Sequence, residues 1–383
     1  MELCWRMFNR PLGVTSSVSE EERVIGVFEG RDVGAPFNIR HEYWYHVNRA
    51  AGTLPPEYSG LDLAEICRAW GASWRCYSGY YVESCVKVSY EGVEFTFERL
   101  GNRAVVTAKT PYGELRRVVA FDQWGLSSQT LEYPVKSVGD FRALEHLLES
   151  VKVEFDHAAY ERLRRRVSGN GIVSYFFPHS PLQALFLDWV GIPNTVRLLR
   201  LERERVERLM EAIHEHNRKF YEVLARSPIR ILNLGENIDV RIASPKLFER
   251  YCLPVYQEVA DYLHGFGKFV HAHVDGYAKQ LLPLLRLSGL DGVEALTPKP
   301  AGDFTLEEMK AALGDEMVVL DGIPYLLFLP HASLEALEEF VVRLVELFEG
   351  RLILGISDEL PPPADVRRVK HVSQMLEKLE GRK

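Results

Sequence analysis

The feature that most constrains this chain is a repeated alternation in its second half. Short apolar runs are each followed by an amphipathic stretch of helical length. Residues 229–234 (IRILNL) read as a strand, with a helix over 245–264. Residues 268–274 (KFVHAHV) come next, with a helix over 276–288, then 292–296 with a helix over 306–313. Residues 317–320 precede a helix over 334–348, and 352–356 precede a last helix from about 365 to 379. Ser244-Pro245 and Thr305 read as helix starts, and Gly265, Gly289, Gly314 and Gly350 as helix stops. Strand–helix alternation with short connections implies parallel strands joined by right-handed crossovers. Upstream, Gly171–Phe177 is a further strand, and 36–40 and 73–77 supply two more around a helix at 61–70. Eight candidate parallel strands are the number that closes a barrel. The fold class expected is therefore α/β, a (β/α)8 TIM barrel, with the whole chain, 1–383, as one barrel domain.

One region breaks the rhythm. From Val82 to about Val119 apolar and polar residues alternate, with turn signals at Glu91-Gly92, Gly101-Asn102 and Tyr112-Gly113. This pattern predicts an antiparallel β meander inserted after the second barrel strand, spanning 82–135, over or beside the barrel mouth. A helical linker is expected over 138–168.

Composition narrows the function classes. A chain of 383 residues, 46% hydrophobic and 26% charged, has the balance of a globular protein. The net charge of −8 does not suit a phosphate-backbone binder, so no nucleic-acid partner is expected. The five cysteines, Cys4, Cys67, Cys76, Cys85 and Cys252, lack the tight pairs of a zinc-binding knuckle. Their scarcity fits a reducing cytoplasm. Residues 1–11 do not read as a secretory segment, and no apolar run is long enough for a membrane span.

In a β/α barrel the reactive groups sit at the C-terminal ends of the strands. That rule alone yields a mouth of Arg40, His41, Tyr77, Pro178, His179, Glu236, Asn237, His273, Asp275, Thr297, Asp321, Ser357, Asp358 and Glu359. His271, His273 and Asp275 are spaced two apart and project from one face of their strand. If that face is the interior, His271 lies deeper and His273 at the rim. His273 and Asp275 then present a nitrogen and an oxygen donor to a divalent metal, with Glu236 from a neighbouring strand. The alternative is that His271 and His273 are buried polar groups satisfied by carboxylate or backbone partners. Glu236, Asp275 and Asp358 are like charges in a partly dry cavity, so a cation or a proton must compensate them. Arg40, His41, Tyr43, Trp44, Tyr77, Asn237, Thr297 and Asp321 are candidate substrate contacts, with Tyr43 and Trp44 suited to a flat ligand. Glu236, His179 and Asp358 are candidate catalytic groups. Glu236 with Asp321 also has the form of a paired-carboxylate glycosidase site. Asp303 reads as an N-cap or turn residue.

Several segments resemble the uroporphyrinogen decarboxylase superfamily: 235–256 (GENIDVRIASPKLFERYCLPVY), 268–282 (KFVHAHVDGYAKQLL), 289–303 (GLDGVEALTPKPAGD) and 354–362 (LGISDELPP), with Trp189-Val190-Gly191 upstream. The resemblance runs from about Gly171 to the C-terminus and implies a β/α barrel. It implies one of two chemistries. Decarboxylases of porphyrinogens bind substrate carboxylates through an N-terminal arginine motif, which Asn48-Arg49-Ala50-Ala51-Gly52 echoes only in part, with Thr53 at its second arginine position. They also use an aspartate after the second strand, where this chain has Tyr77-Ser78-Gly79. Corrinoid-linked methyltransferases bind zinc through His-x-Cys and a later cysteine. Here His273-Val274-Asp275 stands at the first, and no cysteine lies near 355–358. The resemblance thus points to a metal-assisted methyltransferase acting with a corrinoid (cobalamin) protein on a small molecule. His273, Asp275 and Glu236 would be metal ligands, and the metal most simply zinc. The alternatives are a carboxy-lyase of porphyrin metabolism and a non-catalytic corrinoid-protein-binding barrel. No membrane partner is expected; a homodimer is compatible with the sequence.

Overall fold

A computed structural model describes residues 18–381. Cys4 and the segment 1–11 lie outside the described residues. Eight parallel strands form one sheet: β1 Asn38–Ile39, β2 Ser73–Ser78, β3 Gly171–Phe177, β4 Ile231–Leu234, β5 Phe269–His273, β6 Gly292–Glu294, β7 Val318–Ile323 and β8 Leu352–Ile356. Each lies within, or within a few residues of, a segment expected from the apolar runs. The sheet order follows the chain order from β1 to β8. The sheet curls until a parallel bridge between Phe37 and Leu354 links its first and last strands, so the barrel is nearly closed.

Alternation along the strands sorts side chains between two cores. Trp74, Cys76, Leu232, Leu234, Val270 and Ala272 face outward into the layer under the helices. Ile172, Ile231, Val318, Leu320 and Ile353 face inward and meet Val24, Val27 and Phe28. Those last three belong to the helix Glu20–Phe28, which opens on a capping box between Ser19 and Glu22 and plugs the N-terminal end of the barrel. With the bottom sealed by apolar side chains, the polar interior positions above it open only toward the C-terminal end.

The helix starts were legible. Thr305 caps Leu306–Leu313 with a full capping box, and Ser244 accepts from Leu247 N. The helix expected over 276–288 is confined to Leu282–Arg286. Its first half is a turn, because Gly276 is left-handed and the Asp303 carboxylate accepts from Ala278 N and Lys279 N, both at 3.1 Å. Asp303 is therefore a capping residue for a distant loop.

Between β2 and β3 four strands, Glu94–Leu100, Arg103–Thr110, Gly113–Phe121 and Ser128–Glu132, form an antiparallel sheet, its first two connections at the turns expected near 101–102 and 112–113 and its third, over 122–127, not signalled by the sequence. Val86–Tyr90 does not join it. That strand pairs with Val151–Phe155, which lies inside the segment expected to be a helical linker. The linker is instead helix, strand, helix: Phe141–Glu149, Val151–Phe155 and His157–Val167. The period-two pattern VKVEF was too short to stand out between two amphipathic helices. The Tyr81 hydroxyl donates to Leu126 O at 2.9 Å, tying the four-stranded sheet to the loop that follows β2. No helix among the described residues is long and apolar enough to cross a membrane.

Candidate active site

The interior positions above the apolar plug carry an unusual load of charge. Ser73, Arg75 and Tyr77 of β2 share one face by period two, and the structure turns that face inward. The Arg75 Nη1 donates to Glu294 Oε1 at 2.7 Å and lies 2.9 Å from Asp321 Oδ1. Its Nε and Nη2 donate to the Asn38 side chain and carbonyl at 2.9 and 2.7 Å. Glu294 also accepts from the Tyr77 hydroxyl at 2.7 Å and from Asn233 Nδ2. A carboxylate with no solvent exposure is thus satisfied by three strands across the barrel. Burial pushes its pKa up, but the His273 hydrogen bond and the Arg75 charge outweigh it and hold the group well below the usual carboxylate range.

His273 stands above this pair. Its Nδ1 lies 3.0 Å from Glu294 Oε2, and its Nε2 lies 3.5 Å from Asp358 Oδ1. Burial alone would depress the imidazole pKa. The hydrogen bond to Glu294, with the charges of Glu294 and Asp358, overrides it, and the net shift is upward. A carboxylate on Nδ1 fixes the proton there and leaves Nε2 facing the mouth. Asp358, at 54% side-chain exposure, is the opening of the network to solvent. Asp275, just past the end of β5, feels both His273 and Asp358, and burial raises its pKa. His271 lies one interior position deeper, against Phe28; burial lowers its pKa to about 4, so it is neutral.

Arg40 completes the rim. It approaches Asp358 Oδ1 at 3.4 Å and Glu359 Oε2 at 3.7 Å, and its guanidinium lies among the rings of Tyr77, Tyr80 and Phe176. Glu359 accepts from the Tyr80 hydroxyl at 3.0 Å and from Tyr43 N at 2.6 Å. Burial pushes both Glu359 and Asp321 up to about 7 despite the arginines beside them. Asp321 reaches the interior by a local irregularity. Leu320 already points inward, so strict alternation would turn Asp321 out; a φ of 80° at Asp321 breaks the alternation and brings its carboxylate to Arg75. Gly355 leaves room for it, since a Cβ there would lie 2.3 Å from Asp321 Oδ1.

Glu236 belongs to a second cluster. It is fully buried, and its carboxylate accepts from Ser180 N at 2.8 Å and Ser180 Oγ at 2.6 Å. Burial raises its pKa, with no arginine beside it to oppose the rise. His179 points its Nδ1 at Asp188 Oδ2, 2.7 Å away. Burial would lower this histidine, but the Asp188 hydrogen bond and charge raise it.

The expected metal donors do not converge. Glu236 is engaged by Ser180, while the His273 nitrogens face Glu294 and Asp358. Among the described residues no three His, Cys, Asp or Glu side chains are arranged to hold a metal ion. Of the acids expected to need a cation, Asp358 has Arg40 beside it, while Arg75 is paired with Glu294 and Asp321. Several expected substrate contacts are placed elsewhere. His41 is fully buried in the outer layer, with Nε2 3.0 Å from Leu63 O, and burial pulls its pKa down to about 3. Trp44 packs against Tyr58 and Trp70 in that same layer. Tyr77 is interior, committed to Glu294 and Asn233. The Thr297 hydroxyl is spent on Ala295 O at 2.9 Å. Asn237 is exposed beside Glu236, with its carbonyl held by Gln183. Tyr43 is half-buried at the rim. Arg75, Glu294, Asn233 and Asp188 were not singled out from the sequence, whereas Glu359 stands where the strand-end rule put it. The first two carry a signal: each is a charged residue on a strand whose neighbours two positions away also face inward.

A family model described as Uroporphyrinogen decarboxylase (URO-D) matches residues 128–379. No curated protein matches the chain. Among solved structures, the chain is similar to a methyltransferase from Methanosarcina mazei at 12% identity, covering 95% of this chain and 100% of that one with a TM-score of 0.61. A B12-independent methionine synthase from a Shewanella species, in complex with selenomethionine, is 10% identical over 91% of this chain and 97% of its own, with a TM-score of 0.47.

Proposed function

Since the chain belongs to the uroporphyrinogen decarboxylase family, we propose that it is an enzyme that moves a methyl group from a small methyl–oxygen or methyl–nitrogen compound, with His273 as the acid. The observation that carries this reading is the imidazole placed between Glu294 at 3.0 Å and Asp358 at 3.5 Å, with its pKa raised. A histidine so placed is protonated at and somewhat above its ordinary pKa and can give a proton at Nε2. As the carbon–heteroatom bond breaks, its electron pair goes to the heteroatom, which takes that proton. Solvent, which reaches the ring past the half-exposed Asp358, returns a proton to it. Glu294 holds the imidazolium in place, and Arg75 keeps Glu294 ionised. Asp275 and Asp358 favour a neutral or cationic substrate over a polyanion. The methyl acceptor in this reading is a corrinoid carried by a partner protein, which supplies the attacking electron pair.

A second reading rests on Arg40. Its ion pairs are long, at 3.4 and 3.7 Å, and its Nε has no hydrogen-bond partner among the described residues. A substrate carboxylate would give this guanidinium a bidentate partner, and His273 would then protonate the carbon left by loss of carbon dioxide.

The test incubates the purified chain with simple methoxy and methylamine compounds and free reduced cobalamin, following methylcobalamin by its absorbance. Turnover is expected to fall as pH rises through the His273 pKa, and His273→Gln to lower it about 10²–10⁴-fold. Turnover unchanged in His273→Gln overturns the acid role. Carbon dioxide release from a porphyrinogen, with no methyl transfer, selects the second reading.

A further inference from the structure

The four-stranded sheet between β2 and β3 has two edges of different character. Ser128–Glu132 is short, and its pairing with Gly113–Phe121 is broken by a register shift at Val118/Val119. Such a bulge blunts an edge against further pairing. The other edge, Glu94–Leu100, is seven residues long, has no proline, and keeps an unbroken register with its neighbour from Glu94↔Lys109 to Leu100↔Arg103. Among the described residues nothing pairs with its outer side. Its side chains include Phe95, Phe97 and Leu100 at 46%, 66% and 61% exposure.

The hairpin geometry says which backbone groups are free. Leu100 and Arg103 flank a two-residue turn, so they form a hydrogen-bonded pair. Alternate residues Leu100, Glu98, Thr96 and Glu94 then bond inward. Phe95, Phe97 and Arg99 aim their N–H and C=O groups at solvent.

We propose that this edge is the contact between two copies of the chain, which pair their Glu94–Leu100 strands antiparallel about a two-fold axis at Phe97 and join their insertion sheets into one. The register follows from charge. Centred on Phe97, all seven residues are paired. Phe97 lies opposite its own counterpart, Phe95 opposite Arg99, Thr96 opposite Glu98, and Glu94 opposite Leu100. No like charges face each other. A two-residue slip one way sets Glu94 against Glu98 twice. A slip the other way sets Glu98 against Glu98. Like charges directly opposite across strands are destabilising. The Arg99 guanidinium, which has no acid partner among the described residues and already lies 4.8 Å over the Phe121 ring, gains a second aromatic face in Phe95. A second copy is thus the partner whose chemistry this strand already matches, and an isologous contact of this kind closes on itself.

Sedimentation of the full chain across a micromolar concentration range is the test. A dimer is expected. Phe97→Glu puts two carboxylates on the axis and is expected to weaken dimerisation about tenfold or more, while Leu131→Glu, on the blunted edge, leaves it unchanged. The double substitution Thr96→Cys with Glu98→Cys is expected to give a covalent dimer under mild oxidation, mapped by mass spectrometry to that pair. A chain monomeric throughout the range overturns the proposal. So does a dimer that Phe97→Glu does not weaken, or one in which the cysteines fail to cross-link.

Discussion

The barrel centre and the Ser180–Glu236 cluster solve the same problem, a carboxylate with no access to water, in opposite ways. Glu294 is ionised because Arg75 and His273 share its space and Tyr77 and Asn233 fill its remaining lone pairs. Glu236 has only the Ser180 amide and hydroxyl as strong donors, and burial raises its pKa. The first arrangement stores fixed charge beneath a titrating histidine. The second raises the acid's pKa by burial against weaker opposition and joins the end of β4 to the loop after β3. A buried acid therefore signals a charged site only when its counter-ion is buried with it.

The largest effect should come from breaking the first arrangement. Glu294→Ala leaves Arg75 buried with only Asp321 opposite it, and is expected to cost about 3–5 kcal/mol in denaturant unfolding. Replacing both partners, Arg75→Met with Glu294→Leu, should cost markedly less than the sum of the two single changes. Strict additivity would show that the pair is not coupled. Gly355→Ala is next. Its methyl group would meet Asp321 Oδ1 at 2.3 Å and the Asn38 carbonyl at 2.8 Å, and one of these is backbone that cannot swing away. A loss of about 1–3 kcal/mol is expected, with Asp321→Ala recovering part of it.

The pH profile sharpens the contrast. Asp321 and Glu359 are raised to about 7, so their contributions are fully present below about pH 4 and lost as pH rises toward 7. His273, also raised, contributes below its unfolded pKa and loses that contribution as pH passes its folded value. Glu294, lowered, acts the other way and is lost only in strong acid. The melting temperature is therefore expected to be lower at pH 8.5 than at pH 6, with a shallower slope in Asp321→Asn. The smallest effect belongs to Glu236→Gln. It removes an acid that folding prefers protonated, so stability at pH 8 should stay within about 1 kcal/mol of the parent or exceed it. A loss several times larger would mean that Glu236 is ionised and charged for a purpose.

The architecture was readable because barrel strands are short apolar runs at regular spacing, and all eight were placed before any contact was known. His273, Asp358 and Arg40 were found by one positional rule, that strand ends face the mouth. The same rule overreached at His41, as did the reading of Trp44 as a contact for a flat ligand. These begin the helix Glu42–Ala51, which turns them into the outer layer against Trp70. The rule missed Arg75 because that residue lies inside its strand, and Glu294 because the strand was expected to run to 296 but ends at Glu294 itself.

Local pattern set most segments: apolar runs made the barrel strands, period two made the insertion strands, and capping residues started the helices, while 151–155 and the first half of 276–288 escaped it. Which charges would meet was not a local matter. Arg75 and Glu294 are 219 positions apart in the chain, and no spacing rule connects them. Only closing the ring brings strands β2, β5, β6 and β7 around one dry interior, where an arginine and two acids must neutralise one another and hold a histidine above them.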